Sequence, residues 1–316
     1  MDAELEQFKS EIDLRVLAGT FGYQLDRKDS WAGAAVMRGP NNEKIAIKRD
    51  VDGHWVYYSF RDDHSNGTVI DFVGRQLGLS LGQIRIKLRE FMGRPPALLV
   101  PYPPLLRVPK DRIRVERAYA RMPIARSNEY LENERRIPRR VLESRRIAGR
   151  IRVNSFGSAV FPHFDAEGLS GFEIKGPGHT SFSKGGTKSI WTSHAQTDDN
   201  RIAFFESAID ALSFAALFPD ERTRFASLAG RPTPLQKELV RAAIVVMPAS
   251  ATVLAAMDAD QAGRDMANII REAVQSTGRS DLRFEVREPQ GYKDWNELLQ
   301  RQPRFMRRNV SAAEPA

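Results

Sequence analysis

The chain has no cysteine among its 316 residues and only five histidines. That removes disulfides, thiol nucleophiles and thiolate-bound zinc from consideration. Also missing is any apolar run long enough to cross a bilayer. The opening Met1-Asp2-Ala3-Glu4-Leu5-Glu6 is acidic and amphipathic, so it does not read as a secretion signal. The expectation is a cytoplasmic protein with no membrane partner. Acidic residues are outnumbered, 40 Asp and Glu against 48 Lys and Arg, for a net charge of +8. The pI of about 9.8 favours a polyanionic partner, because each phosphate contact releases counterions and arginine forks match phosphate oxygens. An apolar share of 41% and a charged share of 28% are ordinary for a soluble globular protein. The length allows two or three domains.

Five segments can be drawn. Residues 1–94 begin with a helical pattern (Leu5, Phe8, Ile12) and turn to strand-like alternation at Lys44–Lys48 and Trp55–Phe60. After Gly67, another helix starts at Val69–Val73. Residues 95–110 hold Pro95, Pro96, Pro101, Pro103, Pro104 and Pro109, a density that prevents both helix and ladder and reads as a linker. Residues 111–198 are arginine-dense, with Arg135, Arg136, Arg139, Arg140, Arg145, Arg146, Arg150 and Arg152 in one stretch, followed by short strand-like pieces at Ala159–Phe161 and Gly171–Ile174. The stretch reads as a helix–turn–helix-like strip with Leu131, Ile137, Val141, Leu142 and Ile147 inward and the arginines facing DNA or water.

Residues 199–300 alternate. Apolar runs at Ile202–Phe205, Phe225–Leu228, Val253–Met257 and Leu282–Val286 are separated by helical faces at Ile209–Ala216, Leu235–Val246 and Ala262–Val274. Strands of this kind between helices predict a parallel sheet covered on both faces, with functional groups beyond the carboxyl ends of the strands. Residues 301–316 are expected to be a mobile tail.

Three acids fall where such a sheet puts its chemistry. Glu206 ends one run, and Asp258 and Asp260 follow another two positions apart, so persisting strand geometry would point both carboxylates the same way. Convergent carboxylates suit a hard divalent cation, Mg²⁺ or Mn²⁺, which neutralises phosphate charge and activates an attacking oxygen. Gly263 allows close packing at the next helix, whose N-terminal amides favour an anion. Each acid taken singly also suits a helix N-cap.

The motif Phe205-Glu206-Ser207-Ala208-Ile209-Asp210 resembles the first Toprim motif, a strand-end Glu followed by Asp four residues on. Met257-Asp258-Ala259-Asp260-Gln261-Ala262-Gly263 resembles the second. Gly291-Tyr292-Lys293-Asp294-Trp295-Asn296-Glu297 is similar to the Lys-Asp-Pro-Asp segment of bacterial replicative primases, and Leu228–Pro234 sits where primases carry a small-residue loop. Gly171–Lys175 and Phe182–Trp191 are similar to Toprim primase-like proteins of plasmids and conjugative elements. The first segment resembles a primase zinc-ribbon module without its cysteines; His54 and His64 cannot replace a four-ligand set, so no zinc is expected and the module must be held by its core.

The resemblance implies an α/β Toprim domain preceded by a basic α+β primase-like region and a small α+β N-terminal module. It implies Glu206, Asp258 and Asp260 as catalytic metal ligands, with Asp294 as a fourth. Asp210, Gly263 and Asn296 become supporting residues, and Asn296 departs from the aspartate usual there. Lys175, Lys184, Lys188 and Lys293 become contacts for nucleotide or template phosphates, with Gly185-Gly186 letting backbone approach a phosphate. Trp295 is placed beneath the site. Three activities stay open: a primase-like nucleotidyltransferase using nucleoside triphosphates on single-stranded DNA in replication or transfer of a mobile element, with a helicase or relaxase partner; a Toprim nuclease; and a non-catalytic DNA-binding accessory.

Overall fold

A computed structural model of the chain describes residues 2–50, 52–60, 66–93, 102–106 and 109–302. The chain divides into two compact units, Met1–Pro109 and Lys110–Ala316. Pro95, Pro96, Pro101, His64 and the tail beyond residue 302 lie outside the described residues.

In the first unit, α1 (Ala3–Glu11) and α2 (Leu14–Thr20) precede an antiparallel meander, β1 (Gln24–Leu25), β2 (Ala35–Arg38), β3 (Lys44–Arg49), β4 (Trp55–Ser59) and β5 (Asn66–Thr68), followed by α3 (Val69–Leu77) and α4 (Leu81–Gly93). Asp2, Asp13 and Thr68 cap the first three helices, each satisfying backbone N–H groups left over at a helix start. The strands' period of two puts Ile45, Ile47, Trp55 and Tyr57 on the helix-covered face. Phe72 is the hub of that core, with Phe21, Tyr23 and Tyr57 edge-on at 5.6, 5.5 and 5.3 Å.

The second unit begins with α5 (Arg112–Ala120), a one-turn π-type helix (Tyr130–Glu134) and the four-residue α6 (Arg139–Leu142). The helix–turn–helix expectation is corrected here. Leu131, Ile137, Val141, Leu142 and Ile147 do point inward, but Pro138 cannot extend a helix from the π turn, and the stretch wraps the core as single turns.

Next comes an antiparallel sheet of β6 (Arg152–Val153), β7 (Ala159–Asp165), β8 (Gly168–Gly176) and β9 (His179–Phe182). The remaining elements are β10 (Trp191–Thr192), β11 (Arg201–Phe205), α7 (Ala208–Leu217), β12 (Thr223–Ser227), α8 (Pro234–Val245), β13 (Thr252–Ala255), α9 (Gln261–Ser276), β14 (Arg283–Val286) and α10 (Trp295–Arg301). Their sheet runs β10-β12-β11-β13-β14, with β12, β11, β13 and β14 mutually parallel and β10 antiparallel at one edge. The α/β class and the parallel sheet expected from the alternation are present, with β10 recruited from the preceding segment.

Alternation along the strands builds two cores. Ala203, Phe205, Leu254 and Ala256 pack with α7 and Trp295. Ile202, Phe204, Val253 and Ala255 pack with Val240 and Ile244 of α8 and Met266 and Ile270 of α9. α7, apolar nearly all round, is covered on its far side by the arginine-dense segment, as a helix without a polar stripe must be. α7 and α9 therefore leave neighbouring strands β11 and β13 toward opposite faces. That divergence opens a crevice at the strands' carboxyl ends, where open α/β sheets bind ligands.

Candidate metal centre

Glu206 follows β11 directly, and Asp258 stands three residues past the last ladder residue of β13. Both flank the crevice. The shared strand-like orientation expected of Asp258 and Asp260 is replaced by a division of labour. Asp260 N-caps α9, accepting from Gly263 N at 2.8 Å. Asp258 is buried, and its Oδ1 has no hydrogen-bond partner. The capping account therefore holds for Asp260 and for Asp294, which caps α10 through Glu297 N at 2.7 Å. It fails for Glu206, since Ser207 caps α7, and for Asp258, which caps nothing.

Asp258 sits inside a ring of like charge. Burial first, then the charges of Asp210, Glu206, Asp294 and Asp260, push its carboxyl up to about 9. Asp210, fully enclosed, is pushed up to about 6 by burial and by Asp294, while the Ser207 hydroxyl, Lys175 and the Asn296 N–H pull the other way. Its carboxylate takes the Ser207 hydroxyl at 2.5 Å and Asn296 N at 3.3 Å. The five acids thus act on one another beyond the carboxyl ends of the strands, although they come from three separate stretches of chain.

Among the described residues, no three of these carboxylates bring ligand atoms within 4.8 Å of one another; the group that does is Asp50, Asp52 and His54 on the β3–β4 turn. What fits a cation at the crevice is the chemistry: all-oxygen donors, a buried carboxylate oxygen with no donor to satisfy it, and a pKa that only a nearby positive charge would restore.

Three features fix the geometry. A Cβ on Gly263 would collide with the Asp258 carbonyl, so glycine is what lets α9 start against the strand end. Ala259 N donates to Lys293 O at 2.9 Å, tying the Asp258–Asp260 turn to the segment before α10. Trp295, wholly buried, donates from Nε1 to Ala256 O at 3.0 Å, as its expected place beneath the site requires.

Asn296 is a strut. Its Nδ2 donates to Arg135 O at 2.8 Å and to Ser213 Oγ at 2.9 Å. With both amide protons committed, the side chain braces α10 against α7 and the arginine-dense segment. An aspartate here could make neither donation and would add charge beside Asp210.

Of the four lysines singled out, Lys175 reaches the acids. It lies 3.2 Å from Glu173, its side chain is 15% exposed, and its pKa is raised on balance: burial opposes its charge, while Glu173 and Asp210 more than offset that. Lys188 donates to Arg231 O at 2.9 Å, in the Leu228–Pro234 loop. Lys184 and Lys293 are exposed. The Gly185 and Gly186 carbonyls accept from Asp111 N and the Lys110 ammonium, so this turn anchors the start of α5. Glu173 was not singled out from the sequence, although its place two positions from Lys175 on one strand puts both on one face.

The crowded arginines are consumed internally. Arg146, buried, pairs with Asp199 and with the Glu221 carbonyl. Arg136 donates to Gln300 O, Arg140 to Ala216 O and Arg150 to Ser193 O. Arg135 binds the Tyr130 hydroxyl, Arg139 pairs with Glu143, Arg145 pairs with Asp198 and Glu221, and Arg152 donates to Met122 O. Beside the expected choice between DNA and water stands a third use, which Arg136, Arg140, Arg146, Arg150 and Arg152 show: guanidinium forks satisfying backbone carbonyl oxygens.

Residues 203–299 match the family described as Toprim-like, and residues 129–200 match a family described as a protein of unknown function, DUF3991. The chain thus carries a Toprim-like domain on the sheet that holds the acids. No curated protein matches the chain in sequence. Among solved structures, the primase fragment of the bacteriophage T7 primase-helicase protein aligns at 18% identity and a TM-score of 0.39, over 66% of this chain and 78% of that one. A chain from a bacteriophage T7 lagging-strand DNA polymerase complex with primase domains aligns at 20% identity and a TM-score of 0.35, over 52% and 81%.

Proposed function

We propose that the chain is a Mg²⁺- or Mn²⁺-dependent primase-like nucleotidyltransferase acting on single-stranded DNA, serving replication or transfer of a mobile element. One observation carries the reading: a buried carboxylate with an unsatisfied oxygen, ringed by four more at the switch point of a Toprim-like sheet, with a lysine reaching their edge.

Asp258, Asp260 and Glu206 would hold the cation, with Asp294 beside them. When bound, the cation supplies positive charge for phosphate oxygens. Asp260 and Asp294 also cap α9 and α10, so each is held in place by the backbone it terminates. Lys175, kept charged by Glu173 and Asp210, is positioned to bind a phosphate and offset charge that builds on it during transfer. Ser207 and the Asn296 N–H hold Asp210 toward the cluster. The partners implied are single-stranded DNA and nucleoside triphosphates, with a helicase or relaxase recruiting the chain in the cytoplasm.

The test is primer synthesis on single-stranded templates with nucleoside triphosphates and Mg²⁺ or Mn²⁺. Product from the wild type and none from Asp258→Ala supports the proposal. No product across several templates overturns it, and strand cleavage without nucleotides would assign the same acids to a nuclease. Salt-sensitive DNA binding without either activity would make the chain an accessory.

A further inference from the structure

Exposed arginines with no ion pair or side-chain hydrogen bond among the described residues are found on α5, outside the arginine-dense stretch. α5 is nine residues long, and its buried side consists of Val115, with Ala118, Tyr119 and Met122 packed alongside Val160 and Phe172 of the β7–β8 pair. At 100° per residue, Arg114, Arg117 and Arg121 fall within one arc of about 60°, flanking that buried side. All three are exposed, and none makes an ion pair or side-chain hydrogen bond among the described residues. Arg112 lies off this arc and pairs with Asp165, and Glu116 interacts with Arg112, so the ridge has no compensating acid of its own. Like charges three and four residues apart disfavour a helix in isolation.

We infer that the Arg114–Arg117–Arg121 ridge of α5 binds the phosphate backbone of a nucleic-acid strand, at a place apart from the metal centre. Its position follows from β8. Phe172 packs on α5, whereas Lys175, of opposite parity on the strand, reaches Asp210. The ridge and the acids are therefore on opposite faces of one sheet layer. A strand held on α5 is anchored remotely while its end is worked on at the crevice. Three unpaired guanidinium groups along about 10 Å of helix match a charged backbone in a way that reads no base. The choice of nucleic acid as the polyanion rests on the proposed function; the existence of the ridge does not.

The experiment is the salt dependence of binding of a labelled mixed-sequence single-stranded oligodeoxynucleotide to the full chain, between about 50 and 200 mM salt. At about 0.7 per single-strand phosphate contact, R114Q/R117Q/R121Q should flatten the slope of log K against log salt by about 2 and weaken binding roughly tenfold or more at the low-salt end. The matching lysine triple should keep most of the slope, and R139Q, whose arginine is already paired, should keep all of it. An unchanged slope in the glutamine triple, with its melting temperature preserved, overturns the inference, as does a wild type that does not bind. If the triple loses binding while the wild type makes no primer, the ridge stands and the reaction assignment falls. If primer synthesis is found and the slope is unchanged, the reverse holds.

Discussion

Asp258→Asn should make the metal-free protein more stable and deaf to magnesium. In the fold the Asp258 carboxyl is raised from its ordinary 3.8 to about 9 by burial and by four neighbouring acids. Between those values the folded chain retains a proton that the unfolded chain has lost. Its contribution is thus no penalty below about pH 4, and a growing loss of stability as pH rises toward 9. At pH 7 the ceiling is about three pH units at about 1.4 kcal/mol each, roughly 4 kcal/mol. Because neighbouring acids share the repulsion, replacing one of them should recover about 1–3 kcal/mol, a rise of roughly 2–10 °C in Tm for a unit of this size. A bound divalent cation relieves the same repulsion, so Mg²⁺ should raise the wild-type Tm, more at pH 8 than at pH 5, and should raise that of the variant far less. Thermal melts at both pH values, with and without Mg²⁺, decide it. An Asn variant less stable than wild type at pH 8, or one with an undiminished magnesium shift, refutes the electrostatic account of the crevice.

Asn296→Asp should destabilise by about 2–4 kcal/mol, since it removes both donations of the strut and buries another acid near Asp210; a wild-type Tm at neutral pH would show the amide network is dispensable. Gly263→Ala forces α9 away from the Asp258 carbonyl, and the expected outcome is loss of the magnesium-induced Tm rise together with a fall in Tm; retention of both would remove the close approach from the explanation. His163 is buried, with Nδ1 2.6 Å from Ser189 O and Nε2 unpartnered. Burial, with Lys188 and Lys175 adding to it, lowers its pKa from 6.5 to about 4. The unfolded chain therefore binds the extra proton first, and stability should fall by about 3 kcal/mol as pH drops from 6.5 to 4. Urea unfolding of wild type and His163→Asn across that window should show a shallower decline in the variant; parallel curves would place the acid sensitivity elsewhere.

Much of the parallel sheet was legible because its signals are local. Buried strands of a parallel sheet are apolar throughout, and the intervening helices announce themselves by period, as with Pro234 and Thr233 at the start of α8. The glycine at 263 could be anticipated from its place at a helix start. β10 was not legible as part of that sheet, since a two-residue antiparallel edge leaves almost no pattern. The use of the arginine-dense stretch was not legible, for a definite reason. Charge density is visible in sequence, but whether a guanidinium meets a phosphate or the protein's own carbonyl oxygens depends on which irregular backbone surrounds it. α5, with fewer arginines, leaves Arg114, Arg117 and Arg121 without such partners, since a helix satisfies most of its own backbone carbonyls.

The sequence by itself determined the fold class of the second unit, the order of its acids and the place of those acids at strand ends, because periodicity and strand termination are properties of neighbouring residues. Tertiary structure alone decided that Asp260 and Asp294 cap helices while Asp258 is left with a bare buried oxygen, that Lys175 among four lysines reaches the cluster, and that Asn296 is a strut. Those roles depend on burial and on charges contributed by segments as far apart as residues 173 and 294, and no local pattern encodes a distance across the fold.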